Sequence, residues 1–311
     1  MLTRKNKKYR KRGGGNILEN IKSKYRRPKT LTNKKNISDF FINFKNIKIT
    51  RLDDEDYTKV LLKLKNPIPE CCTNPKTSYY DVLVVLSKNF TEPVFIVGGA
   101  VRDYMITKDT TTMNDIDINY TIDPTEVEKL LITPLQISSF YKDARNYIRV
   151  GPKNRSDYLE GFYINPQSYE PNTLECKMNS LLFMINKDSI DLVDFFGGDA
   201  LKDAENKVWS SPTLDYDSWL KKQEKLLWRL LKFELRGYTV PVETKEKVYT
   251  YFIKDTNIKE YGWQNIWWTL NPDNIVNIIE QIKMDCLEIG INYGDLLHKL
   301  IIKKLLIANK I

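Results

Sequence analysis

The spacing of apolar residues divides the chain into three stretches. Residues 1–37 have no sustained period: Lys, Arg and Asn are scattered around a Gly13-Gly14-Gly15 run, a pattern that cannot bury enough surface to form a core. Residues 54–65 and 78–89 have helical spacing, although Asp81, Val82, Val84, Val85 and Leu86 also fit a strand. Pro67, Pro69 and Pro75 interrupt the region between them. From Pro93 the period shortens. Residues 94–97 form a short apolar run that reads as a buried strand, Gly98-Gly99 ends it, and a helix can start over 101–106. Residues 115–120 alternate Asp-Ile-Asp-Ile-Asn-Tyr, a strand pattern, and Asp123-Pro124 opens a helix through Leu131. Residues 147–150 and 158–164 can pair as strands, and 181–185 with 190–193 form a hairpin around 186–189. After Pro212 strand patterns nearly stop: 215–236 reads as one long helix, followed by helices over 242–254, 272–288 and 294–309. The expected architecture is α+β, with a mixed β-sheet over roughly 38–212 and an all-α region over 213–311.

Charge sharpens this division. Residues 1–37 hold 14 Lys/Arg and one acid, Glu19, a net of +13. The whole chain is +9, so the remaining 274 residues carry −4. The body is mildly acidic and the arm carries the entire excess, which makes it an electrostatic handle for a polyanion such as RNA or else a solvated tail. No apolar run approaches the roughly 20 residues of a membrane span, so no membrane partner is expected. No apolar stretch follows the basic N-terminus, as a secretory signal would need. Cys71, Cys72, Cys176 and Cys286 make neither a zinc pattern nor a disulfide framework, which points to a reducing, cytoplasmic setting. His298 is the single histidine and has leucine neighbours, the surroundings of a structural or surface residue. An enzyme built from this chain must work with carboxylates and backbone amides.

The chemistry concentrates in Gly98-Gly99-Ala100-Val101-Arg102-Asp103, followed by Asp115-Ile116-Asp117. A strand running into a Gly-Gly turn and a helix start lets a phosphate approach free backbone N–H groups. Two carboxylates at i and i+2 on a strand point to one face. There they can hold divalent ions for in-line phosphoryl transfer, and hard oxygen ligands favour Mg²⁺ or Mn²⁺.

These residues resemble the GGxVRD…DxD signature of the class II tRNA nucleotidyltransferases and bacterial-type poly(A) polymerases, in the polymerase-β-like nucleotidyltransferase superfamily. Met178-Asn179-Ser180-Leu181 with the run from Ile190 to Gly198, Leu201 and Lys202 is similar to that family's RRDFTINAL…iiDpfGG..DL stretch. Trp228-Arg229-Leu230-Leu231-Lys232-Phe233 with Arg236-Gly237-Tyr238 looks like its LRAxRFaarlGf helix. The resemblance covers 93–238. Together with the basic arm read over 1–37, it implies a nucleotidyltransferase head domain over 38–212 and a helical neck and body over 213–311. It further implies that Asp115 and Asp117 hold the metals, with Glu160 as the third carboxylate. Gly98 and Gly99 would present amides to the triphosphate, Arg102 would neutralise it, and Asp103 would support the loop.

Two departures bear on substrate. Thr173-Leu174-Glu175 stands where the family has RRD, so both arginines of the ribose-recognition motif are gone and Glu175 is the acidic substitute. The base-reading EDxxR motif should precede Arg229, but Lys222-Gln223-Glu224-Lys225-Leu226 does not match it. Lys225, Arg229, Lys232 and Arg236, spaced 4, 3 and 4, would fall within about 60° on one helix face, a basic stripe able to bind triphosphate or an RNA backbone. Trp263, Trp267, Trp268 and Tyr261 have core-like helical spacing. The function implied is transfer of AMP from ATP to RNA 3′ ends. CCA addition to tRNA, an inactive RNA-binding subunit, and transfer to a protein or small molecule are the alternatives.

Overall fold

The computed structural model describes residues 46–68, 77–89, 94–113, 116–119, 124–137, 140–142, 148–150, 162–165, 171–186, 189–222, 226–254 and 275–302. The basic arm, Cys71, Cys72, Asp115, Glu160, Lys225 and the Trp263–Trp268 aromatic cluster lie outside them.

Among the described residues eight strands form one mixed sheet: β1 (Lys48–Arg51), β2 (Phe95–Val97), β3 (Asp117–Asn119), β4 (Phe140–Lys142), β5 (Ile148–Val150), β6 (Phe162–Asn165), β7 (Leu182–Ile185) and β8 (Ile190–Asp194). Their order is β1-β8-β7-β2-β3-β6-β5-β4. Only the β3–β6 contact is parallel among the paired strands described. The expected 181–185 and 190–193 hairpin is β7–β8, and of the expected pairing of 147–150 with 158–164 the described part pairs 148–150 with 162–164 as β5–β6, residues 147 and 158–161 lying outside the described residues.

β2 and β7 are apolar on both faces, which is why they read as continuous runs rather than alternations. Ile96, Phe183 and Leu192 join the large core beneath the helices, while Phe95, Leu182, Met184 and Val193 join a smaller cluster with Phe195 on the other face. β1 gave no sequence signal. All four of its residues are exposed, and it is held by backbone pairing to β8 at the sheet edge.

Before and between the strands run α1 (Asp54–Leu64), α2 (Tyr79–Asn89), α3 (Gly99–Thr107) and α4 (Pro124–Ile132). The helix-or-strand ambiguity at 78–89 is resolved by a capping box. Ser78 N–H donates to Asp81 Oδ2 at 2.9 Å while Asp81 N–H donates to Ser78 Oγ at 3.2 Å. Val82, Leu83 and Leu86 then fall on the buried side.

The region after β8 is helical: α5 (Asp199–Glu205), α6 (Tyr216–Lys222), α7 (Leu226–Glu234), α8 (Val242–Lys254), α9 (Ile275–Ile289) and α10 (Tyr293–Ile302). Of the helix expected over 215–236, the segments Tyr216–Lys222 and Leu226–Glu234 are helical as α6 and α7, and 223–225 lie outside the described residues. Arg236 lies in the turn beyond α7 rather than on its face. α7 buries Leu226, Leu227, Trp228, Leu230, Leu231 and Phe233. The helical region is stitched to the chain that follows α5. Thr239 N–H donates to Lys207 O and Trp209 N–H donates to Thr239 O, both at 2.8 Å. Trp209 is fully buried, its ring 5.8 Å from that of Trp219. No helix among the described residues is long and apolar enough to cross a membrane.

Candidate active site

The β2–α3 junction is made by Gly98. Its φ of 81° is one that L side chains rarely adopt, so the chain can turn straight from strand to helix here. β3 runs antiparallel to β2 with Asp117 opposite Val97. This register sets the Asp117 carboxylate against the turn: a Cβ on Gly98 would lie 3.5 Å from Asp117 Oδ2. A carboxylate and a run of helix-starting amides therefore share one corner.

One turn into α3, Arg102 is buried, with 7% of its side chain exposed. Nε and Nη2 both donate to Asp103 Oδ1 at 2.7 Å. Nη1 donates to Asn179 Oδ1, and the guanidinium lies 5.1 Å from the centre of the Phe233 ring on α7. The relay continues: Asn179 Nδ2 donates to Glu175 Oε1 at 2.7 Å, and Glu175 Oε1 is 3.9 Å from Arg229 Nε. The 174–175 backbone is itself fixed, because Trp219 Nε1 donates to Leu174 O at 2.8 Å.

Arg102, Asp103, Glu175 and Arg229 are thus one connected set spanning α3, the loop before β7, and α7. Lys232 belongs beside them. Burial first, and then the charges of Arg236, Arg229 and Arg102, lower its pKa to about 8. A lysine whose proton is weakened in this way marks a place where positive potential exceeds what local acids balance, and an anion would relieve it.

Gly98, Gly99 and Asp117 are brought together, as are Arg102, Asp103, Glu175, Arg229 and Lys232. The other two expected carboxylates, Asp115 and Glu160, lie outside the described residues, as does Lys225. Among the described residues no group of three acidic, His or Cys side chains converges on a metal. The described donor, the Asp117 carboxylate beside the Gly98 turn, has the hard oxygen chemistry of a Mg²⁺ or Mn²⁺ ligand. Sequence reasoning missed the roles of Asn179 and Phe233. Asn179 stood only inside a resembling run and Phe233 only on an apolar face, and neither pattern shows that both close around Arg102.

Residues 94–162 match the model of the Poly A polymerase head domain. In fold the protein is similar to a CCA-adding enzyme in complex with ATP, at 17% identity and a TM-score of 0.51 over 80% of this chain and 53% of that one. It is also similar to the Thermotoga maritima CCA-adding enzyme complexed with tRNA-CCA, at 18% identity and a TM-score of 0.51, covering 73% of this chain and 53% of that one. A third likeness is to a tRNA nucleotidyltransferase complexed with a primer tRNA and an incoming ATP analog, at 18% identity and a TM-score of 0.50, covering 67% and 62%. The chain spans about half the length of the first two. No curated protein sequence matches it. The residues that build the Gly98–Asp117 corner thus match the Poly A polymerase head-domain model, and the fold around them is similar to that of CCA-adding enzymes.

Proposed function

We propose that the protein is a template-independent RNA nucleotidyltransferase that transfers AMP from ATP to an RNA 3′ hydroxyl. The observation that carries this reading is the corner where the Asp117 carboxylate meets the Gly98 turn, with Arg102, Arg229 and Lys232 clustered in the same region of the fold. The solved relatives bind ATP, an ATP analog and tRNA, which supports nucleotide and RNA as the two ligands here.

In this proposal Asp115 and Asp117, with Glu160, would hold Mg²⁺ or Mn²⁺. The bound ions would supply Lewis-acid activation of the attacking hydroxyl and neutralise the leaving pyrophosphate. The chain's own residues do the rest. Gly98 and Gly99 offer amides to the triphosphate from the start of α3. Arg229 and Lys232 provide the positive field that draws it in. Arg102, fixed by Asp103, Asn179 and the Phe233 ring, adds a charge that needs no reorganisation when nucleotide arrives. Glu175, which stands where the resembling family has the acid of its ribose-recognition motif, would meet a ribose hydroxyl.

Adenylate tailing is favoured over CCA addition because residues 222–226 do not supply the base-reading pair. The test is extension of labelled RNA with each of the four nucleoside triphosphates, on oligo(A) and on a tRNA lacking its 3′ CCA. An ATP-dependent ladder on oligo(A) is expected. Addition of two C and one A to the tRNA alone would replace tailing with CCA addition. RNA binding without extension of either would point to a binding subunit or another acceptor.

The state of Lys232 gives a second test. A bound triphosphate holds its proton, so ATP affinity should fall about tenfold per pH unit above pH ~8, until the pKa of the bound form is reached. Lys232→Arg keeps its charge throughout and should flatten the profile in equilibrium ATP binding. An unchanged decline in Lys232→Arg would assign the titration to another group.

A further inference from the structure

Away from the candidate site, the helical region buries a cluster of charge for which nucleotide transfer has no use. Lys245 on α8 is 7% exposed at its side chain and spends all three ammonium hydrogens on carboxylates. It reaches Glu234 Oε1 at 2.8 Å, Asp285 Oδ1 at 2.8 Å and Glu288 Oε2 at 2.7 Å. Glu234 ends α7, and Asp285 and Glu288 lie on α9, so one ammonium ties three helices together. Asp285 is well supplied with donors: Gln281 Nε2 reaches Oδ1 at 3.0 Å, and Tyr249 Oη donates to Oδ2. Glu234 is not. Its side chain is 5% exposed, and its Oε2 is buried with no hydrogen-bond partner among the described residues.

Three carboxylates face one ammonium, and one buried carboxylate oxygen receives nothing. An ionised Glu234 would leave a desolvated anionic oxygen without a donor, beside the negative charge of Asp285. A protonated Glu234 turns that oxygen into a hydroxyl donor, with Asp285 as its neighbouring acceptor, and removes one of the two unbalanced charges.

We propose that Glu234 takes up a proton when α7 docks on α8 and α9 and shares it with Asp285, making the packing of these three helices a proton-linked lock that weakens as pH rises. Among the described residues, Lys245 and Tyr249 from α8 and Asp285 from α9 act on Glu234, and Glu288 shares its partner Lys245. Consistent with the geometry, burial first and the Asp285 charge second push the Glu234 carboxyl up to about 8.

The sign follows from proton counts. Between the ordinary glutamate pKa, 4.5, and about 8, the folded chain holds a proton that the unfolded chain does not. Stability from this group therefore declines across that window and is flat above it. Lys232, whose pKa is lowered to about 8, acts in the adjoining alkaline window and with the opposite sign.

The test compares the full wild-type chain with Glu234→Gln, which keeps the shape and hydrogen-bonding capacity of the protonated acid at every pH. Folding constants would be measured by denaturant unfolding from about pH 5 to pH 9. The expected ratio of Glu234→Gln to wild type rises about tenfold per pH unit up to about pH 8 and is constant beyond it. Where Gln disturbs the packing, Glu234→Leu, which has no proton to exchange, serves the same comparison. Ratios independent of pH across the window would overturn the proposal. So would a ratio that falls with pH, the mark of an ionised carboxylate holding Lys245. Neither readout depends on nucleotide or RNA.

Discussion

Asp117→Asn is expected to reduce nucleotidyl transfer by about 10³-fold or more while leaving the fold in place, a loss on the scale of removing a charged group from phosphoryl-transfer machinery. The substitution keeps size and shape at a half-exposed position, and the backbone of β3 remains paired to Val97 and to β6. What changes is one unit of negative charge at the turn where Gly98 brings the backbone close. An amide oxygen is a far weaker ligand for a hard divalent ion than a carboxylate, and it cannot help balance that ion's charge. ATP binding driven by Arg102, Arg229 and Lys232 should survive in part, so the defect belongs in turnover more than in affinity. The check is the RNA-extension rate at saturating ATP, alongside circular dichroism and thermal melting. A rate within tenfold of wild type would remove Asp117 from the chemistry and with it the main support for the proposed reaction.

Arg102→Ala should have the largest combined effect, lowering stability by about 3 kcal/mol and weakening ATP binding as well. Arg102 touches Asp103 and Asn179 on one side and the Phe233 ring of α7 on the other. Its removal takes a donor from buried Asn179 Oδ1, removes the cation beside Asp103, and opens a space over Phe233. Asp103 is 35% exposed and can turn to water, which keeps the cost at the lower end for a broken buried pair. Arg102→Lys should recover less than half of the stability. A single ammonium cannot reproduce a planar fork that serves Asp103 and Asn179 while lying flat on a ring. Urea unfolding and ATP titration measure the two losses separately. Wild-type stability in Arg102→Ala would mean that the Asn179 and Phe233 contacts carry no net energy.

How much of this could be read from the chain differs by feature, for physical reasons. Period and punctuation were enough for α1, α4, α8 and the β7–β8 hairpin, because each buries one local face. The Ser78-x-x-Asp81 box was present to be read and decides α2, yet the β-branched run after it drew attention to a strand. β1 left no trace, since an exposed edge strand needs only its backbone. The Gly98–Asp103 and Asp117 signals were local and legible. Lys232 was legible as a cation on a basic stripe, but its burial was not, because that depends on α7 lying against α3 across 130 intervening residues from Arg102. The same holds for Glu234 and Lys245, whose shared partner Asp285 lies about fifty residues beyond Glu234 in the chain. Charges brought together by tertiary packing have no spacing to betray them.

The short stitch between Lys207, Trp209 and Thr239 has a use of its own. The backbone protons of Trp209 and Thr239 are each spent on the other strand of the stitch, and the Trp209 side chain beside them is sealed from water. They can trade places with solvent deuterium only when the turn after α7 lifts from the chain that follows α5. Their exchange rates are therefore a native gauge, needing no label, of how often these two parts of the molecule let go of each other, with and without added ATP.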